Sequence, residues 1–163
     1  MTAILVDTGF LIALADPAQP HHATARTWLR ESVRAGVPLY LSTLVAAEFE
    51  RRQPVADLPL RHFVVLPFNI DHAVLAGRLL RPGAGGADDG AILPPGASAD
   101  DLKLVAQAVA ESLTHVLVAD ARGLARQVAR LAAEGRCALK AIVLAEGFDP
   151  AWLNDGQRSL PGT

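Results

Sequence analysis

Apolar positions fall along this chain in two rhythms: short unbroken runs of β-formers, and longer stretches with an apolar residue every three or four positions. The short runs predict buried strands, and the longer stretches predict helices packed on them. Ile4-Leu5-Val6 runs into Asp7-Thr8-Gly9 and then the apolar segment Phe10 to Leu14. That predicts a strand, a tight turn and the start of a short helix. Asp16 to Pro20 is a turn. His21 to Ala35 predicts a helix closed by Gly36, with Trp28, Leu29 and Val33 as its apolar stripe. Pro38 to Leu41 reads as a second strand. Ser42 then suits the N-cap of a helix from Thr43 to Arg52, which Pro54 ends. Phe63 to Leu66 is a third strand, followed by a helix from Asp71 to Leu80 with Val74, Leu75 and Leu79 facing inward.

Pro82 to Asp100 breaks the rhythm with five glycines and three prolines. A loop of this length inside a compact domain is usually functional or disordered. Ser98 suits the cap of the next helix, Asp101 to Leu113. His115 to Val118 is a fourth strand running into Asp120, Arg122 to Glu134 a helix closed by Gly135, and Leu139 to Leu144 a fifth strand. The tail from Glu146 holds Trp152 but ends in Gly and Pro, and is expected to dock loosely. Strands alternate with helices throughout, which argues for a parallel sheet covered on both faces. The expected layout is one domain over residues 1–145, carrying the 82–100 insertion, and a tail over 146–163.

With 163 residues, 51% of them hydrophobic and 20% charged, the chain is long and apolar enough for one domain with a real core. A net charge of −2 does not advertise a nucleic-acid binder. Such a balance still permits a nucleic-acid enzyme whose acids cluster at one site and whose arginines lie elsewhere. The single cysteine, Cys137, excludes an internal disulfide and suits a reducing compartment. No apolar run approaches the roughly 18 residues that span a bilayer. The N-terminus lacks a basic region, and Asp7 interrupts its apolar stretch, so no signal peptide is expected. These features suggest a soluble, cytoplasmic protein.

Four acids stand out. Asp7 follows the first strand, where an α/β sheet presents its chemistry, although Asp is also a common turn and N-cap residue. Glu48 lies one helical turn past Leu44, beside Val45 and Phe49. That places it on the core face, where an ionised carboxylate needs compensation, or at the edge of the stripe, half exposed. Asp101 opens a helix beside Leu104 and Val105. A favourable helix dipole would also explain an acid there, and it suits Asp100 better. Asp120 follows the fourth strand as Asp7 follows the first. Two strand-end acids converge if their strands are neighbours. Four carboxylates drawn together would repel unless cations joined them, and all-oxygen ligands suit Mg2+ or Mn2+ rather than Zn2+. Such ions activate water and stabilise the transition state of phosphodiester cleavage.

These segments resemble the PIN domain family, in particular its VapC-type toxin branch. Val6-Asp7-Thr8-Gly9 resembles the opening strand and first acid. Leu41 to Glu48 resembles the second strand, hydroxyl-rich turn and helix with the second acid. Asp101 to Ala108 is similar to the third-acid helix, and Val116 to Asp120 to the strand before the fourth. The resemblance covers roughly residues 3 to 144. Each motif is weak alone, and their order and context make the signal. It implies a Rossmann-like α/β/α sandwich on a five-stranded parallel sheet, and Mg2+- or Mn2+-dependent ribonuclease activity. It further implies Asp7, Glu48, Asp101 and Asp120 as metal ligands, a homodimer, and a small antitoxin whose tail blocks the cleft. Two departures bear on that reading. Family members often carry Thr or Ser two residues before the last acid, where this chain has Val118. The 82–100 loop, with Asp88 and Asp89, is longer than the usual connection, and serves as a lid or substrate guide or is a floppy insertion.

Asp7-Thr8-Gly9 also matches the aspartic-protease triplet, but that chemistry needs an all-β fold and paired aspartates, which the helices contradict. Arg26, Arg30 and Arg34, and likewise Arg122, Arg126 and Arg130, recur every four residues. Such stripes grip phosphates, but more often they are solvated helix faces. The second is the better RNA candidate because it starts beside Asp120. Thr8, Arg122 and Arg126 are accordingly the candidate substrate contacts. His21 and His22 read as a surface pair, and His62, His72 and His115 take no role. The leading expectation is a metal-dependent ribonuclease toxin. The second is a PIN-like scaffold that binds RNA or a protein without cutting.

Overall fold

The computed structural model describes residues 1–81 and 97–154. Five strands, β1 (Ile4–Val6), β2 (Leu39–Ser42), β3 (Phe63–Leu66), β4 (His115–Val118) and β5 (Lys140–Val143), form one sheet in the order β3-β2-β1-β4-β5. Every pairing is parallel, with Ile4 opposite both Leu39 and His115. The helices are α1 (Thr8–Ala15), α2 (His22–Ala35), α3 (Thr43–Glu50), α4 (Ile70–Leu80), α5 (Ala99–Ala110) and α6 (Leu124–Ala133). α1 packs against α2 and α3, and α5 against α4 and α6, so the helices form two groups, one on each side of the sheet. This is the expected three-layer sandwich.

The central strands β1 and β4 are buried at every position, as strands covered on both faces must be. Phe10, Trp28, Phe49, Leu102 and Leu131, from five of the helices, are fully buried in the same core. Local chemistry sets the helix ends. Ser42 accepts from the Leu44 amide, Ser98 from that of Asp101, and Gly36 ends α2 at φ 68°, a left-handed conformation that favours glycine.

Several expectations need correction. Val33 and Val74 do not face inward: each is 48% exposed. The buried face of α2 is Ala25, Trp28 and Ser32, and that of α4 is His72, Ala76 and Leu79. The final helix begins at Leu124 rather than Arg122, because Gly123 takes φ 53° and ψ −119°, which a helix cannot contain. Arg122 therefore does not share a helical stripe with Arg126 and Arg130. α5 ends at Ala110, and Ser112 turns the chain at φ 55°. The start of the tail docks firmly. Phe148 packs edge-on against Trp28 at 4.9 Å between ring centroids, and Trp152 likewise against His115 at 5.3 Å. Most of the expected 82–100 insertion, with Asp88 and Asp89, lies outside the described residues, as does the end of the tail.

Candidate active site

The strand order reverses direction around β1, and the crevice beyond the carboxyl ends of β1 and β4 is where an open α/β sheet presents ligands. β1 pairs directly with β4, so the acids that follow them, Asp7 and Asp120, open onto the same cleft. Glu48 reaches it from α3 and Asp101 from the first turn of α5. All four predicted acids thus line one cleft of about 480 Å³, with Thr8, Gly9, Leu104, Ala119 and Arg122 among its other walls. A larger recess of about 570 Å³ lies elsewhere, between α2 and Pro59, and Asp57 is the one acid in its lining.

Each acid is held differently. Asp7 does cap α1: its Oδ1 accepts the Phe10 amide at 2.7 Å, while its own amide donates to the Leu117 carbonyl at 3.1 Å. The capping and active-site readings therefore coexist. Burial pushes the Asp7 carboxyl up to about 7; the amides of Phe10 and Ala119 pull it down, and the charges of Asp120 and Glu48 add to the rise. Asp101 is half-buried and also raised, chiefly by desolvation, against hydrogen bonds from Ser98 and with a push from Glu48 and Asp100. Asp100 instead points to solvent and pairs with Lys103 at 2.8 Å, as the helix-dipole reading expected. Glu48 is exposed toward the cleft and not sunk among core residues, and it accepts a 2.6 Å hydrogen bond from Thr8 Oγ1. Asp120 accepts from the Arg122 amide at 2.8 Å and from its guanidinium at 2.9 Å, which together hold its carboxyl below the usual range.

The donor set fits a hard divalent cation: among the described residues, four carboxylates and no thiolate or imidazole line the cleft. Burial, with a smaller push from Asp120 and Glu48, favours the neutral form of Asp7, and a bound cation would favour the ionised one. The acids are not, however, drawn together around one point. Among the described residues, no three His, Cys, Asp or Glu side chains stand close enough to share an ion as they lie. Thr8 holds one of them and Arg122 another.

The chain is similar to one in the structure of VapBC2 from Rickettsia felis bound to a DNA fragment from their promoter. The TM-score is 0.58 at 15% identity, covering 87% of this chain and 98% of that one. A chain of DNA-bound VapBC from Salmonella typhimurium gives 0.53 at 15% identity, covering 88% and 99%. This is a PIN domain fold of the VapC type. No protein-family model matches the sequence, and no curated protein does.

On this PIN fold, two features escaped the sequence reading. Gly9 is more than a turn residue: a Cβ built on it would lie 2.6 Å from the Ala119 Cβ, so the bare glycine lets α1 close against the loop that carries Asp120. Gly9→Ala should cost about 1–3 kcal/mol by overpacking, read as a lower urea midpoint, and should weaken any activity of the cleft. No signal in a single sequence separates this role from that of a turn glycine. The second feature is the hydroxyl. Val118 is buried at 1% exposure and cannot present a polar group to the cleft; among the described residues that line it, Thr8 is the one whose hydroxyl meets an acid. Of the other candidate contacts, Arg122 lines the cleft, whereas Arg126 is exposed on α6 and is not part of its lining.

Proposed function

We propose that the chain is a divalent-metal-dependent ribonuclease, the toxin of a toxin–antitoxin pair. The observation that carries this reading is the convergence of Asp7, Glu48, Asp101 and Asp120 on one cleft of a VapC-type fold. These four would hold Mg2+ or Mn2+. The bound cation would supply a Lewis acid that readies water for attack and offsets charge on the phosphodiester. Thr8 keeps the Glu48 carboxylate oriented into the cleft. The Phe10 and Ala119 amides fix Asp7 at its depth. Arg122 is placed to meet a phosphate. Asp7, Glu48, Asp101 and Asp120 are also the residues to which a blocking antitoxin tail would be directed. The VapBC complexes among similar folds support a partner of that kind, and the family resemblance suggests a homodimer in the cytoplasm.

A second reading, a scaffold that binds without cutting, draws on two observations: Asp120 is already engaged by Arg122, and Val118 offers no hydroxyl. Cleavage of a mixed structured-RNA pool separates the two. The nuclease reading expects cutting in Mn2+, none in EDTA, and at least a hundredfold loss in Asp101→Asn, about the scale of removing one catalytic electrostatic group. Retained RNA binding, indifferent to EDTA and without cleavage by the folded wild type, would favour the scaffold.

A further inference from the structure

Among the described residues, Arg122 is the one basic side chain in the lining of the acidic cleft, and it engages both oxygens of a single acid. Its amide donates to Asp120 Oδ1 at 2.8 Å and its Nη2 to Oδ2 at 2.9 Å. Gly123, at φ 53° and ψ −119°, folds the 120–123 loop back, and a Cβ built on it would lie 3.7 Å from Asp101 Oδ2. The loop therefore runs between two of the acids with Arg122 at its outer edge. The pair is open to water, with the Arg122 side chain 81% exposed and that of Asp120 47% exposed. Such pairs contribute little, so exchanging this one for another partner costs little. Guanidinium forks match phosphate as well as carboxylate.

We propose that Arg122 is a tethered counter-ion of the cleft. It competes with the divalent cation for Asp120 and, once displaced, takes a phosphate of the RNA. The consequence is an ordered site in which cation binding releases the phosphate contact. This rests on the nuclease reading and adds a role for Arg122 that the acids alone do not require.

The test is Mn2+ affinity, read by the loss of the free-ion electron paramagnetic resonance signal, for the wild type, Arg122→Ala and Arg122→Lys. Removing the competing charge should tighten Mn2+ roughly 3- to 10-fold in Arg122→Ala, while Arg122→Lys stays near wild type. At saturating Mn2+, the KM for RNA should rise several-fold in Arg122→Ala. Structural damage would weaken both, so opposite movements of the two are the signature. Equal or weaker Mn2+ binding in Arg122→Ala, or an unchanged KM, overturns the proposal and leaves the nuclease reading standing. No stoichiometric Mn2+ on the wild type overturns both.

Discussion

Asp7→Asn should make the metal-free protein more stable at pH 8 while sharply reducing the proposed nuclease activity. The Asp7 carboxyl is pushed up to about 7, chiefly by burial, from an ordinary value of 3.8. Between those values the folded protein binds a proton that the unfolded chain does not. Stability from this group is therefore highest at acid pH, falls as pH rises from about 4 to 7, and levels off above about 8. Each pKa unit corresponds to about 1.4 kcal/mol, so the full penalty is on the order of 4 kcal/mol. Asparagine keeps the N-cap, since its side-chain oxygen still accepts the Phe10 amide. It cannot serve the Ala119 amide as well as a second carboxylate oxygen does, which offsets about 1 kcal/mol. The net expectation is a gain of about 2–3 kcal/mol in urea unfolding at pH 8, shrinking toward zero near pH 4. RNA cleavage should fall at least a hundredfold. A variant less stable than wild type at pH 8 would mean that the carboxylate is compensated by the protein itself.

The second large effect concerns a residue far from the cleft. His72→Ala should cost about 2–4 kcal/mol. His72 is 1% exposed. Its Nδ1 accepts the Asn69 amide at 3.0 Å, so the ring hydrogen sits on Nε2 and is donated to Glu111 Oε1 at 2.7 Å. Asn69 returns the favour by accepting the His72 amide, which completes a capping box at the start of α4. One imidazole therefore closes the end of α4 and ties it to α5, the helix that carries Asp101. Truncation strands the Asn69 amide and leaves a cavity between the two helices. A double-mutant cycle with Glu111→Gln should assign about 1 kcal/mol or more to the pair. Additive effects of the two substitutions would show that the loss is packing and the cap alone.

His72 also shows where sequence reading ran out. Its apolar neighbours suggested a stripe through Val74, and a histidine counted as polar; the buried face instead runs through His72, Ala76 and Leu79. Periodicity finds a helix, but it does not settle which of two adjacent faces is inside when a polar residue is buried by being fully bonded. The same ambiguity places Val33 inside and leaves Glu48 between the core face and the edge of the stripe; Glu48 is in fact open at the rim of the cleft. What was legible was local. Ile4 to Asp7, the caps at Ser42 and Ser98, and the stop at Gly36 follow from backbone chemistry within a few residues. The shared cleft of Asp7 and Asp120 was legible at one remove, because parallel strands that alternate with helices present their ends on one edge. The clasp of Arg122 on Asp120 was not, since it is a side-chain pairing within a loop, which no hydrophobic rhythm marks. Nor was the close approach of Gly9 to Ala119, which joins residues far apart in the chain.

A cation completing the acids of this cleft, as proposed, would be reported directly by the carboxyl of Asp7. Its carbon-13 resonance, assigned by comparison with Asp7→Asn, should be titrated against pH with and without Mg2+. Without the ion, the midpoint should lie at about 7. With Mg2+ bound, it should fall into the ordinary carboxylate range, because the cation stabilises the ionised form. A midpoint near neutrality that ignores Mg2+ would contradict a metal site at Asp7.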